Sequence, residues 1–231
     1  LDIIKASWAD IKLAIQHCDS VLLAGRPGTG KTTTAINILR HQLGYATYVM
    51  SLTEGDFAQS IFGRERLDGK GGMKFIPSPA ILAMQAPKGA LVLNEINRAS
   101  LEVLSALYPI CDVGPSAEFV LPNNDIQKVP STFRVVATMN GSLEELPEGL
   151  RARFPVSFQV DEASPDVLQG LPEAIANAAR HSCAADKNSG VRVWHAYVKL
   201  SKAVGQEKAA ELLWGRDQAE AILDSIRIAE L

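Results

Sequence analysis

Ser20-Val21-Leu22-Leu23-Ala24-Gly25-Arg26-Pro27-Gly28-Thr29-Gly30-Lys31-Thr32-Thr33-Thr34-Ala35-Ile36 decides how this 231-residue chain is read. Ser20 to Ala24 is an apolar run that reads as a buried strand, and Gly25 to Thr32 fits the spacing G-x-x-x-x-G-K-[ST] at every fixed position. The residues from Thr33 to Arg40 read as the helix that leaves the loop. Glycines at 25, 28 and 30 allow the backbone to wrap a polyphosphate with its N–H groups pointing inward, and the helix N-terminus adds partial positive charge. Lys31 is expected to neutralise the β and γ oxygens, and Thr32 to place a hydroxyl on Mg²⁺. Arg26, Pro27, Thr29 and Thr33 complete the expected nucleotide-binding stretch.

Composition narrows the class. A hydrophobic content of 47% with 21% charged residues is ordinary for a globular protein with a real core. The net charge of −3 provides no overall attraction to nucleic acid or to an anionic membrane, although a local basic surface can hide in such a total. Cys18, Cys111 and Cys183 lie far apart without C-x-x-C spacing, and the four histidines form no ligand pattern with them. Buried thiols in a reducing compartment are expected, rather than disulfides or a zinc site. No apolar run approaches the ~18 residues of a membrane span, and the first ten residues do not resemble a signal peptide. A cytoplasmic location away from membranes is the expectation.

Outward from the loop, residues 7 to 18 have helical spacing, and Tyr45 to Ser51, after Gly44, reads as a second strand, which completes a parallel βαβ unit. Residues 53 to 63 read as a short helical stretch, 63 to 77 as a glycine-rich loop, and 79 to 86 as a helix. Ala90 to Leu93 is a third buried strand that ends in Asn94-Glu95. A helix over 100 to 110 and a β-hairpin over 118 to 129 precede a fourth strand, Phe133 to Met139, which ends in Asn140. Val156 to Val160 is a fifth. Beyond Pro165 only helices are expected, at 165–184, 191–204, 206–213 and 216–230. The fold class is therefore α/β: a phosphate-loop core of five parallel strands between helices over residues 1–160, then a small helical lid domain over 161–231.

Phosphoryl transfer to water requires positioning, a metal, an oriented water and positive charge on the transition state. Glu95, at the end of a buried strand, is placed to polarise the water. Asn140, at the end of another, is placed to hold that water or the γ-phosphate through its amide. Polar residues at strand ends are where open α/β sheets carry ligands.

Taken together, Gly25 to Thr32, Leu91 to Ala99, Phe133 to Asn140 and Leu146-Pro147-Glu148-Gly149-Leu150-Arg151-Ala152-Arg153-Phe154 resemble the AAA+ ATPases, and among them the MoxR and dynein-related branch. The resemblance covers nearly the whole chain. It implies that Lys31 and Thr32 are Walker A residues, Glu95 the Walker B catalytic glutamate, Asn140 sensor 1, and Arg153, together with Arg151, the arginine finger. Arg192, in Ser189-Gly190-Val191-Arg192, resembles the sensor 2 arginine. The implied cofactors are ATP and Mg²⁺, and the implied assembly is a homo-oligomer, a hexameric ring with ATP at subunit interfaces. The implied work is remodelling or activating a protein partner, with an adaptor supplying specificity. One position departs from the pattern: Walker B normally ends in Asp-Glu, and here Asn94 takes the place of the aspartate beside Mg²⁺. An amide oxygen lacks the charge that favours a hard cation, so slow turnover is expected. A nucleic-acid motor or restriction-type NTPase of the same clade, with ATP or GTP as its nucleotide, and a weakly hydrolysing nucleotide-gated scaffold are the alternatives.

Overall fold

The computed structural model describes residues 4–5, 7–67, 69, 71–114, 117–185 and 190–229. Asp68, Lys70, Ser189 and the side chain of Cys183 lie outside that description. Contacts divide the chain into two units. One is the chain up to Ala24 with Ala35–Gln159; the other is Gly25–Thr34 with the chain from Val160 onward.

In chain order the first unit begins with β1 (Ile4–Lys5), α1 (Trp8–His17) and β2 (Ser20–Gly25). Ser7 caps α1 by accepting from the Asp10 amide, and the Asp10 carboxylate returns the bond. α2 (Lys31–Ile36) continues as a π-helical turn, Asn37–Gln42, before β3 (Ala46–Ser51). The expected helix over Thr33–Arg40 therefore changes its winding halfway, and it closes with the Leu43 N–H on the Ile38 carbonyl, 2.9 Å away.

The stretch 63–77 is not a loop. It is an antiparallel hairpin of β4 (Gly63–Leu67) and β5 (Met73–Pro77), with φ of +78° at Gly69 and +88° at Gly71 in the segment that joins them. Between 53 and 63 the helical part is a single 3₁₀ turn, Ala58–Ile61. α3 (Pro79–Gln85) and β6 (Gly89–Asn94) follow. The helix expected at 100–110 is two pieces, α4 (Leu101–Ala106) and α5 (Tyr108–Cys111), because Pro109 has no N–H to continue the first. The hairpin of β7 (Glu118–Val120) and β8 (Ile126–Lys128) is present as expected. It is followed by β9 (Arg134–Thr138), α6 (Glu148–Arg151) and β10 (Val156–Val160).

The sheet order is β1-β10-β2-β9-β6-β3. The five expected strands are all there, and Ile4–Lys5 adds a two-residue edge strand beside β10. β2 pairs with β9, β9 with β6 and β6 with β3, all in parallel. Ala90, Leu91, Val92 and Leu93 of β6 are fully buried, as a parallel strand covered on both faces must be. Leu22, Leu91, Leu93, Val135 and Ala137 meet Ile81, Leu104, Leu107 and Phe154 in one core.

The second unit carries α7 (Pro165–Leu168), α8 (Glu173–Ala185), α9 (Val191–Val204), α10 (Gln206–Trp214) and α11 (Arg216–Ala229). The single helix expected at 165–184 breaks between α7 and α8, at Gly170 with φ +86° and Pro172. Trp194, Tyr197 and Trp214 pack ring against ring, with centroids 5.0 to 6.3 Å apart. No described helix is long and apolar enough to cross a membrane.

Cys111 is buried in the first core, and burial pushes its thiol up to about 12, opposed by the Arg153 cation and reinforced by Asp112. A raised acid pKa contributes stability that is complete below the unfolded value and is lost as pH rises. Stability should therefore fall by about 1.4 kcal/mol per pH unit above about pH 9. Urea unfolding of the chain and of Cys111→Ala at pH 8 and pH 10.5 checks this, since the variant should lack that share of the slope.

Candidate functional site

Register sets the geometry of the strand ends. Leu23 of β2 pairs with Thr138 of β9, and Thr138 pairs with Asn94 of β6. Asn94 also pairs with Ser51, so β3, β6 and β9 stop in line at Ser51, Asn94 and Thr138, and the polar residues that follow β6 and β9 share one edge. Asn94 Nδ2 donates to Ser51 Oγ at 3.2 Å, and Asn94 Oδ1 accepts from Thr138 Oγ1 at 3.2 Å. The amide thus ties the ends of β3, β6 and β9 together.

Glu95 is the next residue, and its backbone is left-handed, φ 57° and ψ 48°. That conformation is costly for a residue with a Cβ, and it turns the chain sharply out of the strand. Glu95 Oε1 accepts from Asn140 Nδ2 at 3.3 Å, and Oε2 lies 2.7 Å from Arg98 Nε. The two strand-end residues singled out in the sequence are therefore brought together. Asn97 joins them: its Nδ2 donates to the Asn140 carbonyl at 2.8 Å and to Glu145 Oε2 at 2.7 Å. Glu145 in turn accepts from the Ser142 N–H at 2.9 Å. Nothing in the pattern of residues singled out Asn97 or Glu145, because the bonds depend on the turns after β6 and β9.

Arg151 and Arg153 lie at the end of α6, away from this group in the chain. Arg153 Nη1 donates to the Gly149 carbonyl at 2.7 Å, and its guanidinium carbon lies 4.5 Å from the centre of the Tyr108 ring. The Nε atoms of Arg151 and Arg153 are both buried without a hydrogen-bond partner among the described residues.

The second unit holds the glycine-rich loop. Gly25, Gly28 and Gly30 have φ of +137°, +79° and +92°, conformations that only glycine adopts freely. Lys31 is buried, and its Nζ donates to the carbonyls of Gly25 at 3.0 Å and Arg26 at 2.5 Å. Thr29 Oγ1 donates to the Arg26 carbonyl at 3.0 Å. The loop is also stitched to the helices after it. The Ser164 N–H donates to the Thr29 carbonyl at 2.9 Å, Thr34 Oγ1 to Ser164 Oγ at 2.6 Å, and the Val191 N–H to the Gly28 carbonyl at 3.3 Å. Arg192, exposed, is the residue after that amide, at the start of α9. Ser164 was not singled out from sequence, although Ser164-Pro165 is a recognisable helix start.

These residues fit a magnesium nucleotide in part. Left-handed glycines, a buried lysine and a helix opening at Lys31 suit a polyphosphate. For the metal, this loop offers the Thr32 hydroxyl, a neutral oxygen donor. Among the described residues, no group of three or more His, Cys, Asp and Glu stands ready for a metal.

The AAA domain model of the dynein-related subfamily matches residues 20–154, more than half of the chain, and the chain belongs to that family of AAA+ ATPases. Similar proteins include the Holliday junction branch migration complex subunit RuvB of Anaeromyxobacter sp. (strain K), 29% identical over 74% of this chain and 45% of that one. The RuvB of Chlorobium phaeobacteroides is 31% identical over 66% of this chain and 40% of its own. The chain thus spans less than half the length of these curated relatives. Among solved structures, a RuvB variant from Thermotoga maritima superimposes with a TM-score of 0.54 at 19% identity, covering 95% of this chain and 67% of that one. A Cytophaga hutchinsonii protein gives 0.53 at 18%, covering 91% and 66%. At such identities these structures establish the fold.

Ser164 both caps α7, through the Asp166 N–H, and accepts the buried Thr34 hydroxyl. Ser164→Ala should lower stability by about 1–3 kcal/mol, read by urea unfolding, because it removes a cap and strands a buried hydroxyl.

Proposed function

We propose that the chain binds ATP with Mg²⁺ at Gly25–Thr33 and hydrolyses it, as a subunit of a MoxR-like ring that remodels or activates a protein partner. The observation that carries the reading is the pairing of Glu95 with Asn140, 3.3 Å apart at the ends of adjacent strands. A carboxylate and an amide so placed form a water-orienting pair, which is the main demand phosphoryl transfer makes on a protein beyond charge and position. Bound Mg²⁺·ATP would supply the phosphoryl group and neutralise its developing charge. Lys31 and the loop amides would hold the phosphates, Thr32 and Asn94 would face the metal, and Arg192 would report on the nucleotide from the lid. Arg153, with Arg151, would serve the nucleotide of a neighbouring copy. In doing so Arg153 would leave the Tyr108 ring and the Gly149 carbonyl. A hexamer in the cytoplasm, with lid and core divided near Asp161, completes the proposal.

Similarity to RuvB, named for branch migration of Holliday junctions, supports a second reading as a nucleic-acid motor. Arg64, Arg66 and Lys74 on the β4–β5 hairpin supply a local basic surface for it, with Arg66 directly opposite Lys74. Stimulation of hydrolysis by DNA, set against stimulation by protein, separates the two.

Glu95→Gln should keep ATP affinity within about threefold and lose turnover by about 10²-fold or more, the usual share of a general base. Equilibrium binding of a fluorescent ATP analogue and steady-state hydrolysis measure the two quantities; undiminished turnover removes Glu95 from the role.

Asn94→Asp should lower the Mg²⁺ concentration needed for half-maximal hydrolysis and raise kcat, since it restores a charged oxygen beside the metal. A magnesium titration of both proteins decides the point, and identical curves would mean that Asn94 does not set the metal affinity.

A further inference from the structure

We infer that Glu145 is a positioning residue for Asn140 and acts through Asn97: its carboxylate fixes the Asn97 amide, and that amide fixes the stretch of backbone that carries the Asn140 side chain. The inference rests on the role given to Asn140 above.

The turn after β9 brings the carboxylate into place. Gly141, with φ +106°, redirects the chain, and Ser142 leads into a single 3₁₀ turn, Leu143–Glu145. Leu143 and Leu146 are buried, so the core anchors this turn close to Glu145 on both sides. The Glu145 side chain folds back over Gly141, where a Cβ would collide with Oε1, and the glycine is what leaves the carboxylate its room. Oε1 accepts from the Ser142 N–H at 2.9 Å, and Oε2 accepts from Asn97 Nδ2 at 2.7 Å. Asn97 belongs to the other turn, Ile96–Arg98, which follows β6 and Glu95. One exposed carboxylate therefore joins the turn after Glu95 to the turn after Asn140.

The chemistry of the Asn97 amide gives this link its direction. Nδ2 carries two hydrogens, and they go to two acceptors, Glu145 Oε2 and the Asn140 carbonyl at 2.8 Å. Turned over, the amide would set its oxygen against both of them, so it has one orientation. Oδ1 is buried without a hydrogen-bond partner among the described residues, and the amide is held from its nitrogen alone. Of the two acceptors Glu145 carries the charge, and a charged acceptor makes the stronger bond. The held amide in turn fixes the carbonyl of Asn140, the residue whose Nδ2 donates to Glu95 at 3.3 Å. Glu144, the exposed carboxylate beside Glu145, takes no part in this network.

Glu145→Gln keeps the size of the side chain and turns one acceptor into a donor. With its oxygen on the Ser142 N–H, the new NH₂ faces Asn97 Nδ2, and Asn97 either loses that bond or swings its oxygen round and releases the Asn140 carbonyl. For ATP hydrolysis by the 231-residue chain, kcat should fall about five- to fiftyfold while KM changes less than about twofold, because the misplaced group is at the reacting end and the glycine-rich loop is untouched. Glu144→Gln, which removes the same charge one residue away, should keep kcat within about twofold of the parent. Asn97→Asp, which sets an oxygen against both acceptors, should lower kcat at least as far as Glu145→Gln. In an Asn140→Ala background each of these two changes should cost less than about a further twofold, since the side chain they position is gone. A purely structural role would move KM and multiply the losses. A parent-like kcat for Glu145→Gln overturns the inference, as does an equal fall in Glu144→Gln or a loss of the same factor with and without the Asn140 side chain. If Asn140→Ala itself hydrolyses ATP like the parent, the role of Asn140 fails first, and that result is distinct from a failure of Glu145 to position it.

Discussion

Parallel pairing of β9 between β2 and β6 is the constraint on which the rest of the first unit depends. Parallel strands cannot be joined by tight turns, so each needs a crossover, and every strand runs out at the same edge of the sheet. Leu23, Thr138 and Asn94 are aligned by that pairing. Once the buried runs 90–93 and 135–138 are fixed by their apolar side chains, the position of Glu95 and Asn140 follows from register, to within the reach of one hydrogen bond. A slip of one residue in β6 would turn its side chains to opposite faces and separate the two.

Asn94 has a structural role that its charge alone would not reveal. Its amide donates to Ser51 and accepts from Thr138, so it links three strand ends with one side chain. An aspartate at this position could accept from both hydroxyls, since Ser51 can rotate to donate. The neutral residue is thus compatible with the sheet edge and is not required by it. What the amide changes at this edge is charge: it offers the Thr138 hydroxyl a neutral oxygen where an aspartate would offer an anionic one.

Much of the architecture was legible from sequence because buried strands are short apolar runs bounded by polar residues. The five long strands follow that logic, while the 118–129 hairpin is marked by its Asn123-Asn124-Asp125 turn and the helices from 191 onward by their apolar spacing. The hairpin at 63–77 was not legible: Arg64, Glu65 and Arg66 make its first strand read as polar, Glu65 interrupts the apolar face that Leu67, Met73 and Phe75 form, and the glycines of the turn dominate the reading. The π turn after α2 was equally hidden, since nothing in Asn37–Gln42 distinguishes it from an ordinary helix. At the candidate site, Glu95 and Asn140 were found by their place after strands. Arg98, Asn97 and Ser164 make contacts that depend on how turns fold, and a local pattern carries no such information.

The close approach of Gly28 to Gly190 has a consequence for sequence drift. A Cβ on Gly28 would lie 2.5 Å from the Gly190 Cα, and the left-handed φ of +79° would strain it further. A Cβ on Gly190 would lie 3.2 Å from the Gly28 Cα, at an ordinary φ of −58°. The two positions are epistatic, and unequally so: alanine at 190 asks the backbone to yield by a few tenths of an ångström, whereas at 28 no side chain has a route in. Selection for the backbone path of the loop and selection for close seating of α9 would therefore leave the same mark at residue 28, and an invariant glycine there could not by itself tell one pressure from the other.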